Sequence, residues 1–308
     1  MIFRRATLVL STALALATGG SRAVDALKVC LNEDAPPYSL RHKSGSAGFD
    51  LAVAGVLAQR LGRPLEVKWF ESKLDEDSSG ALEANALLSD GRCQLVAGYP
   101  LTEDALGRPG VETARLPDFD GAKPADRRRR ITLGTLQASK PYHFAPLTIV
   151  LGGAAAGKPI GGLGDLDGVN IGVEGGTLSD TILMSFADGR LIDRITHLVP
   201  GRGQLWPALE RGDFDAALLP LHRFDAYRAE HPDTKLRASG YLYPIGFNIG
   251  FVGLASDASL MAEVDAALAA LLSSGEIGEL GPKAGMTYLP PRAPDVQKHL
   301  LLSDLKGK

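Results

Sequence analysis

The chain has 308 residues, of which 45% are hydrophobic and 22% are charged, and its formal net charge is −3. Beyond residue 23 it keeps all 36 acidic residues but only 30 of its 33 lysines and arginines. This acidic balance argues against a nucleic-acid-binding protein, because such binding depends on a basic surface that neutralises phosphates. The length permits one large hydrophobic core or two modest ones.

The first 23 residues have the organisation of a secretory signal peptide. Arg4 and Arg5 precede an apolar run from Ala6 to Ala17, and a small residue stands at Ala23. The run is well short of the roughly 20 residues that a membrane-spanning helix needs. We therefore expect export to the periplasm, cleavage after residue 23, and a mature protein without a membrane anchor.

The first half of the chain alternates short apolar strands with amphipathic helices, an order that predicts an α/β fold with mostly parallel sheets. In the first helix, Phe49, Val53, Val56, Leu57 and Leu61 recur at intervals of three and four residues. Predicted strands occupy residues 27–31, 64–70 and 93–98, and predicted helices occupy residues 48–62 and 80–91.

Residues Leu106–Arg130 contain three prolines and the run Arg127–Arg130 but no regular apolar period, which predicts a long surface loop. A second α/β series begins at residues 145–152. It continues with predicted strands at 169–173, 195–199 and 214–219, and with predicted helices from 178 to about 189 and at 204–212. A helix over Leu260–Ser273 closes the chain.

Seven segments occur in one order along the chain: LKVCLNEDAPPYS, GFDLAVAGVLA, LVAGYPLT, SKPY, LDGVNIGVEGGT, ALERGDFDAALL and GFVGLASDASLMAEVDAAL. Together they resemble the family 3 extracellular solute-binding proteins, the periplasmic receptors of ABC importers. The resemblance implies a type II periplasmic-binding fold, in which two lobes close on a small solute. It places lobe I at residues 24–145, lobe II at 146–253 and a C-terminal return to lobe I at 254–308. We expect a monomer that works with an ABC permease.

The resemblance also implies where the ligand charges are held. In that family Gly-x-Thr-x-Thr-x-x-Arg follows the third strand, and its threonine and arginine hold the substrate carboxylate. Here the frame starts at Gly98 and keeps Thr102, but Pro100 replaces the first threonine and Ala105 replaces the arginine. Pro220 replaces the acid that holds the substrate ammonium. Burying an unpaired charge costs several kcal/mol, so we expect a ligand other than an ordinary α-amino acid.

Another arginine would have to replace the missing one if the ligand carried a carboxylate. Arg108 and Arg127–Arg130 are the candidates, because the extra loop that holds them is expected beside the cleft. The alternative is that the four consecutive arginines form a solvated turn.

The remaining candidate site is weakly charged. After the strand at 169–173, the amides and hydroxyls of the segment EGGTLSD either meet an anion or carbonyl group or simply cap the helix that follows. An aromatic residue after the first strand either contacts the ligand or belongs to the core. The predicted ligand-binding residues are Asp34, Tyr38, Tyr99, Pro100, Thr102, Ser139, Tyr142, Gly176, Thr177, Ser179 and Pro220.

Two cysteines, Cys30 and Cys93, remain beyond the leader. In an oxidising compartment they are either bridged or separately buried, and the sequence leaves both possibilities open. The chain has a cysteine in the first predicted strand, a cysteine at the start of the third, and a proline soon after the glycine of the third. In this pattern it also resembles the branch of the family that is associated with periplasmic quinoprotein alcohol dehydrogenases. That narrower resemblance implies an alternative role as an accessory protein of such a dehydrogenase.

A further alternative is a cleft enzyme, because some periplasmic dehydratases resemble this fold. Such an enzyme needs a carboxylate as acid or base in the cleft, for which Glu174 and Asp34 are the candidates. The six histidines show no metal-ligand spacing, and no Gly-x-Ser-x-Gly nucleophile motif occurs. We therefore expect a binding protein without a metal, a cofactor or catalytic residues.

Overall fold

The computed structural model describes residues 25–72 and 79–305, so the predicted signal peptide lies outside the described residues. Within them the strands are β1 Leu27–Asn32, β2 Asp34–Ala35, β3 Ser39–His42, β4 Gly45–Ala47, β5 Leu65–Glu71, β6 Leu95–Pro100, β7 Thr113–Arg115, β8 Asp118–Phe119, β9 Arg130–Thr132, β10 Leu136–Leu151, β11 Ile171–Glu174, β12 Ile195–Leu198, β13 Ala216–Pro220 and β14 Arg237–Leu254. The helices are α1 Phe49–Arg60, α2 Gly80–Ser89, α3 Leu178–Ser185, α4 Leu205–Arg211, α5 Leu221–Glu230, α6 Ala258–Ser273, α7 Glu276–Lys283 and α8 Leu302–Leu305.

Two long strands join the halves of the molecule. The main sheet has the order β12-β11-β13-β10-β14-β6-β1-β5-β8. β10 and β14, with 16 and 18 residues, pair antiparallel along their lengths. β6 pairs with one half of β14, whereas β13 pairs with the opposite half of β10. The two strands therefore run through both lobes, and the predicted two-lobed α/β fold is confirmed.

The buried apolar residues form separate cores on the two sides of this strand pair. Two hydrophobic clusters draw their buried members from residues 27–142 and 249–286 and constitute the core of lobe I. Two others draw theirs from residues 147–243 and from Leu305, and constitute the core of lobe II. The predicted limit of lobe II at residue 253 is therefore too late, because Ile249, Phe251 and Val252 pack in lobe I. One continuous strand changes lobe in mid-course, and no break in its apolar pattern marks that point.

The pairing of β10 with β14 is irregular where the lobes meet. The register shifts around Pro141 and again between Pro146 and Thr148. Proline cannot donate a ladder hydrogen bond, so these positions weaken the pairing locally. Gly246 lies opposite Pro146, and a Cβ atom on Gly246 would stand 2.7 Å from the Ala145 carbonyl oxygen. The strands approach here more closely than a side chain would allow.

The helices follow the predicted apolar spacing. α1 buries Phe49, Val53 and Leu57, which lie on one face at intervals of four. α2 begins after Ser79, whose hydroxyl accepts a hydrogen bond from the Leu82 amide at 3.3 Å and caps the helix. The sequence pattern does not predict α5 and α7.

Cys30 and Cys93 form a disulfide, with Cα atoms 5.6 Å apart. Cys30 lies in β1 and Cys93 lies two residues before β6. The Gln94 amide donates a hydrogen bond to the Lys28 carbonyl at 2.9 Å, so the bridge joins two strand segments that are already neighbours. Of the two possibilities that the sequence left open, the bridged state is the one present.

The segment Leu106–Arg130, predicted as an irregular loop, contains short strands. β7 pairs with β9, and β8 pairs with β5 at the edge of the main sheet. Ala114 and Leu116 are buried in a lobe I cluster. Strands of two or three residues are too short to show a period in the sequence, which explains the difference.

The chain end differs from the predicted return to lobe I over residues 254–308. Up to Gln297 the segment contacts lobe I, where Tyr288 and Val296 pack against the core and the Gln297 amide donates a hydrogen bond to the Leu101 carbonyl at 2.8 Å. Leu300 and Leu305 then pack against the core of lobe II, and the Tyr243 hydroxyl donates a hydrogen bond to the Leu305 carbonyl at 3.1 Å. The C-terminal segment is therefore a third connection between the lobes.

Over the described ranges, no individual helix has both the length and the apolar character needed to cross a membrane. Two consecutive helical segments, Ala255–Ser273 and Glu276–Lys283, are long and apolar enough only when they are taken together, and they are bent by 77° relative to each other.

We expect Leu305→Ala to lower the free energy of unfolding by about 2 kcal/mol, because it removes a buried side chain from the core of lobe II. Leu305 is 6% exposed, whereas Leu302, in the same helix, is 56% exposed. Leu302→Ala is the matched control and should change stability by less than about 0.5 kcal/mol. Urea unfolding of both variants measures the difference, and equal effects would show that the chain end is not docked on lobe II.

Candidate functional site

A cavity of about 360 Å³ lies where the lobes meet. It falls within the size range of small-molecule sites, which are mostly apolar clefts with a few polar groups. Its lining comes from lobe I, from lobe II and from the two crossing strands. The lining residues are Tyr38, Gly98, Pro100, Ala145, Leu147, Glu174, Thr177, Leu178, Ser179, Leu205, Leu218, Leu219, Pro220, His222, Arg223, Gly246, Phe247 and Ile249.

Two oppositely charged residues of lobe II meet in this cavity. Glu174 is the last residue of β11, and Arg223 lies in the first turn of α5. Arg223 Nη1 donates to Glu174 Oε2 at 2.5 Å, and the Gly201 amide approaches Glu174 Oε1 at 3.4 Å. The Glu174 side chain is 8% exposed and that of Arg223 is 38% exposed. The arginine that enters the cleft is therefore Arg223, and its charge is compensated within the protein.

Two buried polar atoms beside the cavity have no hydrogen-bond partner among the described residues. They are the Tyr38 hydroxyl, in lobe I, and His222 Nδ1, in the first turn of α5 in lobe II. Tyr38 is 8% exposed, and the centroids of the two rings are 4.7 Å apart. A buried polar atom without a partner costs free energy, so each of these atoms favours a ligand that supplies one.

Burial keeps the histidines near the cavity uncharged. Desolvation lowers the pKa of His222 to about 3, and the nearby His143 and Arg223 act in the same direction. Desolvation also lowers the pKa of His143 to about 4, although a hydrogen bond with the Leu289 carbonyl opposes the shift. Among the described lining residues, Glu174 and Arg223 form an ion pair.

α5 is held in place from lobe I. The carboxylate of Asp225 accepts hydrogen bonds from the Thr287 amide at 2.7 Å and from the Thr287 hydroxyl at 3.0 Å. Thr287 lies between Met286 and Tyr288, which both pack in the lobe I core. His222 and Arg223 are therefore presented to the cavity by a helix that is anchored to both lobes.

The structure brings together part of the predicted site. Tyr38, Pro100, Thr177, Ser179 and Pro220 line the cavity. The Thr177 hydroxyl donates to the Glu174 carbonyl at 2.8 Å and accepts from the Asp180 amide at 3.2 Å, so it caps α3.

Other predicted residues lie outside the cavity lining. The Gly176 amide donates to Asp180 Oδ2 at 2.8 Å. The Tyr99 hydroxyl donates to the Ala105 carbonyl at 2.6 Å, and the Ser139 hydroxyl accepts from the Phe251 amide at 2.9 Å. Asp34 and Gly176 are exposed. The other predicted residues outside the lining make contacts within lobe I, and they are Tyr99, Thr102, Ser139 and Tyr142.

Of the loop arginines proposed as replacements, Arg108, Arg128, Arg129 and Arg130 have described side chains, and none of these four lines the cavity. Arg129 pairs instead with Asp90 at 2.6 Å and with Asp126 at 3.5 Å. The side chain of Arg127 lies outside the described part of the structure. A solvated or locally paired turn is therefore the description that fits Arg129.

Sequence reasoning missed His222, Arg223 and Phe247 as lining residues. The first two directly follow the strand that ends at Pro220, in a helix that the apolar pattern does not predict. Phe247 lies in β14 beside the point where the strand changes lobe. The strand end at Pro220 is the sequence signal that lies near His222 and Arg223.

No group of three or more histidine, cysteine, aspartate or glutamate side chains in the described ranges is arranged to hold a metal ion. Asp50 is an isolated buried acid at 2% exposure, and it accepts a hydrogen bond from the Tyr142 hydroxyl at 2.8 Å. Burial raises the pKa of Asp50 to about 7, and that hydrogen bond opposes the shift.

No family model matches the sequence, and no curated protein matches it. Solved structures match its fold. The unliganded, open L-cystine solute receptor of Neisseria gonorrhoeae has a TM-score of 0.60 at 18% identity, over 87% of this chain and 96% of that one. An ancestral cationic amino acid solute-binding protein has a TM-score of 0.56 at 19% identity, over 84% of this chain and 94% of that one. A histidine kinase sensor domain with similarity to periplasmic binding proteins reaches 0.54 at 17% identity, over 87% of this chain and 99% of that one.

We expect Tyr38→Phe to leave the stability of the ligand-free protein unchanged or to raise it, because it removes an unpartnered buried hydroxyl. Tyr142→Phe should instead cost about 1–3 kcal/mol, since the Tyr142 hydroxyl bonds both Asp50 and the Gly98 amide. Thermal unfolding of the two variants provides the comparison. A loss at Tyr38→Phe as large as that at Tyr142→Phe would contradict the unpartnered state of the hydroxyl.

We expect the stability conferred by Asp50 to fall as the pH rises from about 4 to about 7. The folded pKa of about 7 lies above the value of about 3.9 in an unfolded chain, so the folded state binds the extra proton over this range. Between pH 5 and pH 8 the free energy of unfolding should therefore fall in the wild type by about 2 kcal/mol more than in Asp50→Asn. Thermal melts at both pH values test this, with the exposed Asp233→Asn as control.

Proposed function

We propose that this protein is a periplasmic solute-binding protein that captures a small molecule between its lobes for an ABC importer. The cavity at the lobe junction is the observation that carries the proposal, because both lobes and both crossing strands contribute to its lining. The structures that share the fold include two solute-binding proteins, which supports binding as the activity. The predicted signal peptide and the disulfide fit an oxidising, extracytoplasmic compartment.

Ligand binding would be coupled to closure through β10 and β14. The irregular pairing near Pro146 and Gly246 supplies a place where a few residues can absorb a change in backbone angles. A solute that contacts both lobes binds the closed form more tightly than the open one. It shifts the equilibrium toward closure by that difference in affinity.

We further propose that the solute is not an ordinary α-amino acid, although two of the matching structures are described as amino acid receptors. Ala105 and Pro220 occupy the positions where the resembling family carries its arginine and its acid. The charges that do line the cavity, Arg223 and Glu174, are both in lobe II and neutralise each other. A zwitterion would have to compete with this pair for the compensation of its own charges.

A catalytic role receives no support from the two candidate carboxylates. Glu174 is occupied by Arg223 rather than available as an acid or base. Asp34 is exposed in β2 and lies outside the cavity lining. Binding without bond formation is therefore the activity we propose.

An accessory role beside a periplasmic quinoprotein dehydrogenase is a second candidate. It rests on Cys30 and Cys93, which carry the narrower resemblance and are joined in a disulfide. Co-purification from the native host distinguishes the roles. Retention of a quinoprotein dehydrogenase favours the accessory role, and solute-dependent stimulation of a permease-linked ATPase favours import.

A thermal-shift screen over amino acids, carboxylates, sugars, amines and amides tests the binding function. A solute at 100 times its dissociation constant should add about 2.7 kcal/mol of stability. Pro100→Trp, which fills the cavity from lobe I, should weaken that solute at least tenfold. Val199→Trp is the control, because Val199 is 58% exposed and lies outside the cavity lining. Absence of any response, or equal binding by both variants, would contradict the function.

A further inference from the structure

The charge balance of the cavity limits the ligand it can accept, if the proposed binding function is correct. Of the described lining residues, Glu174 and Arg223 carry charge at neutral pH, and they form an ion pair at 2.5 Å. His222 is neutral because burial lowers its pKa to about 3. An anion or a cation would leave a net charge in the closed cleft, which disfavours either one.

The uncompensated groups in the cavity are hydrogen-bonding atoms rather than charges. The Tyr38 hydroxyl can donate and accept, and His222 Nδ1 does either according to its tautomer. Tyr38 belongs to lobe I and His222 to lobe II, and their rings are 4.7 Å apart. The two rings are in contact, so a polar group of a ligand that reaches both atoms at the edge of this contact would satisfy them and link the lobes.

The rest of the lining is apolar and comes from both lobes and the crossing strands. Leu147 and Phe247 project from β10 and β14, and Leu178, Leu205 and Leu218 come from lobe II. Such a lining favours a ligand with a hydrocarbon portion, because the burial of apolar surface is favourable in proportion to its area.

We infer that the cleft takes an uncharged, largely apolar solute whose single hydrogen-bonding group, of the amide or hydroxyl class, bridges Tyr38 of lobe I and His222 of lobe II. The Glu174–Arg223 pair stays intact in the complex. This inference deepens the proposed function, since it names the class of solute that the same cavity selects.

Four probes with the same six-carbon chain test the inference by calorimetry: hexanamide, hexanoate, hexylammonium and norleucine. We expect hexanamide to bind at least tenfold more tightly than each of the other three. A charged probe or norleucine that binds as well as hexanamide would overturn the inference. Failure of all four probes to bind would also overturn it, whereas the broad screen with Pro100→Trp decides the binding function independently.

Two substitutions test the named contacts. Tyr38→Phe should weaken hexanamide about fivefold, the loss expected for one hydrogen bond. Tyr243→Phe, whose hydroxyl bonds the Leu305 carbonyl outside the cavity lining, should leave the affinity unchanged. An unchanged affinity in Tyr38→Phe would exclude the proposed bridge.

Glu174→Gln tests the role of the ion pair. This variant leaves the Arg223 guanidinium without its acidic partner, so hexanoate should gain at least tenfold in affinity and exceed hexanamide. If hexanamide remains the tighter ligand, the ion pair does not set the charge preference, and this part of the inference is wrong.

Discussion

The antiparallel pairing of β10 with β14 is the constraint on which the molecule depends. Each strand is hydrogen-bonded into the sheet of one lobe along one half and into that of the other lobe along the other half. The lobes therefore cannot separate without breaking this ladder, and its irregular positions lie where the lobes meet. The cavity lies at this junction, so the strands that join the lobes also contribute residues to its lining.

The ion pair between Glu174 and Arg223 gives this cleft its chemical character. An ion pair with little solvent exposure is weak evidence for stability, because desolvation offsets much of the attraction. Its consequence here is for recognition, since two charges that bind each other are less available to a ligand. The fold alone does not decide the ligand or the role, and a sensor domain shares it with solute-binding proteins.

The lobes are linked by more than the two crossing strands. The C-terminal segment follows lobe I to Gln297 and then packs Leu300 and Leu305 on lobe II. Asp225 of α5 is bonded to Thr287, so the helix that carries His222 and Arg223 is also tied to lobe I. A movement that separates the lobes at these contacts would break them at a cost in free energy, so they restrict how far the cleft can open.

The sequence by itself determined the α/β class, the two-lobed fold and most of the longer elements, because apolar periodicity and caps act over a few neighbouring residues. It also indicated Tyr38, Pro100 and Pro220 for the cleft. The tertiary structure decided which charges meet, that Cys30 and Cys93 are bridged, and where β14 changes lobe. Glu174 and Arg223 are 49 residues apart in the chain. Their contact exists because β11 ends and α5 begins at the same edge of lobe II, and no local pattern encodes such a meeting.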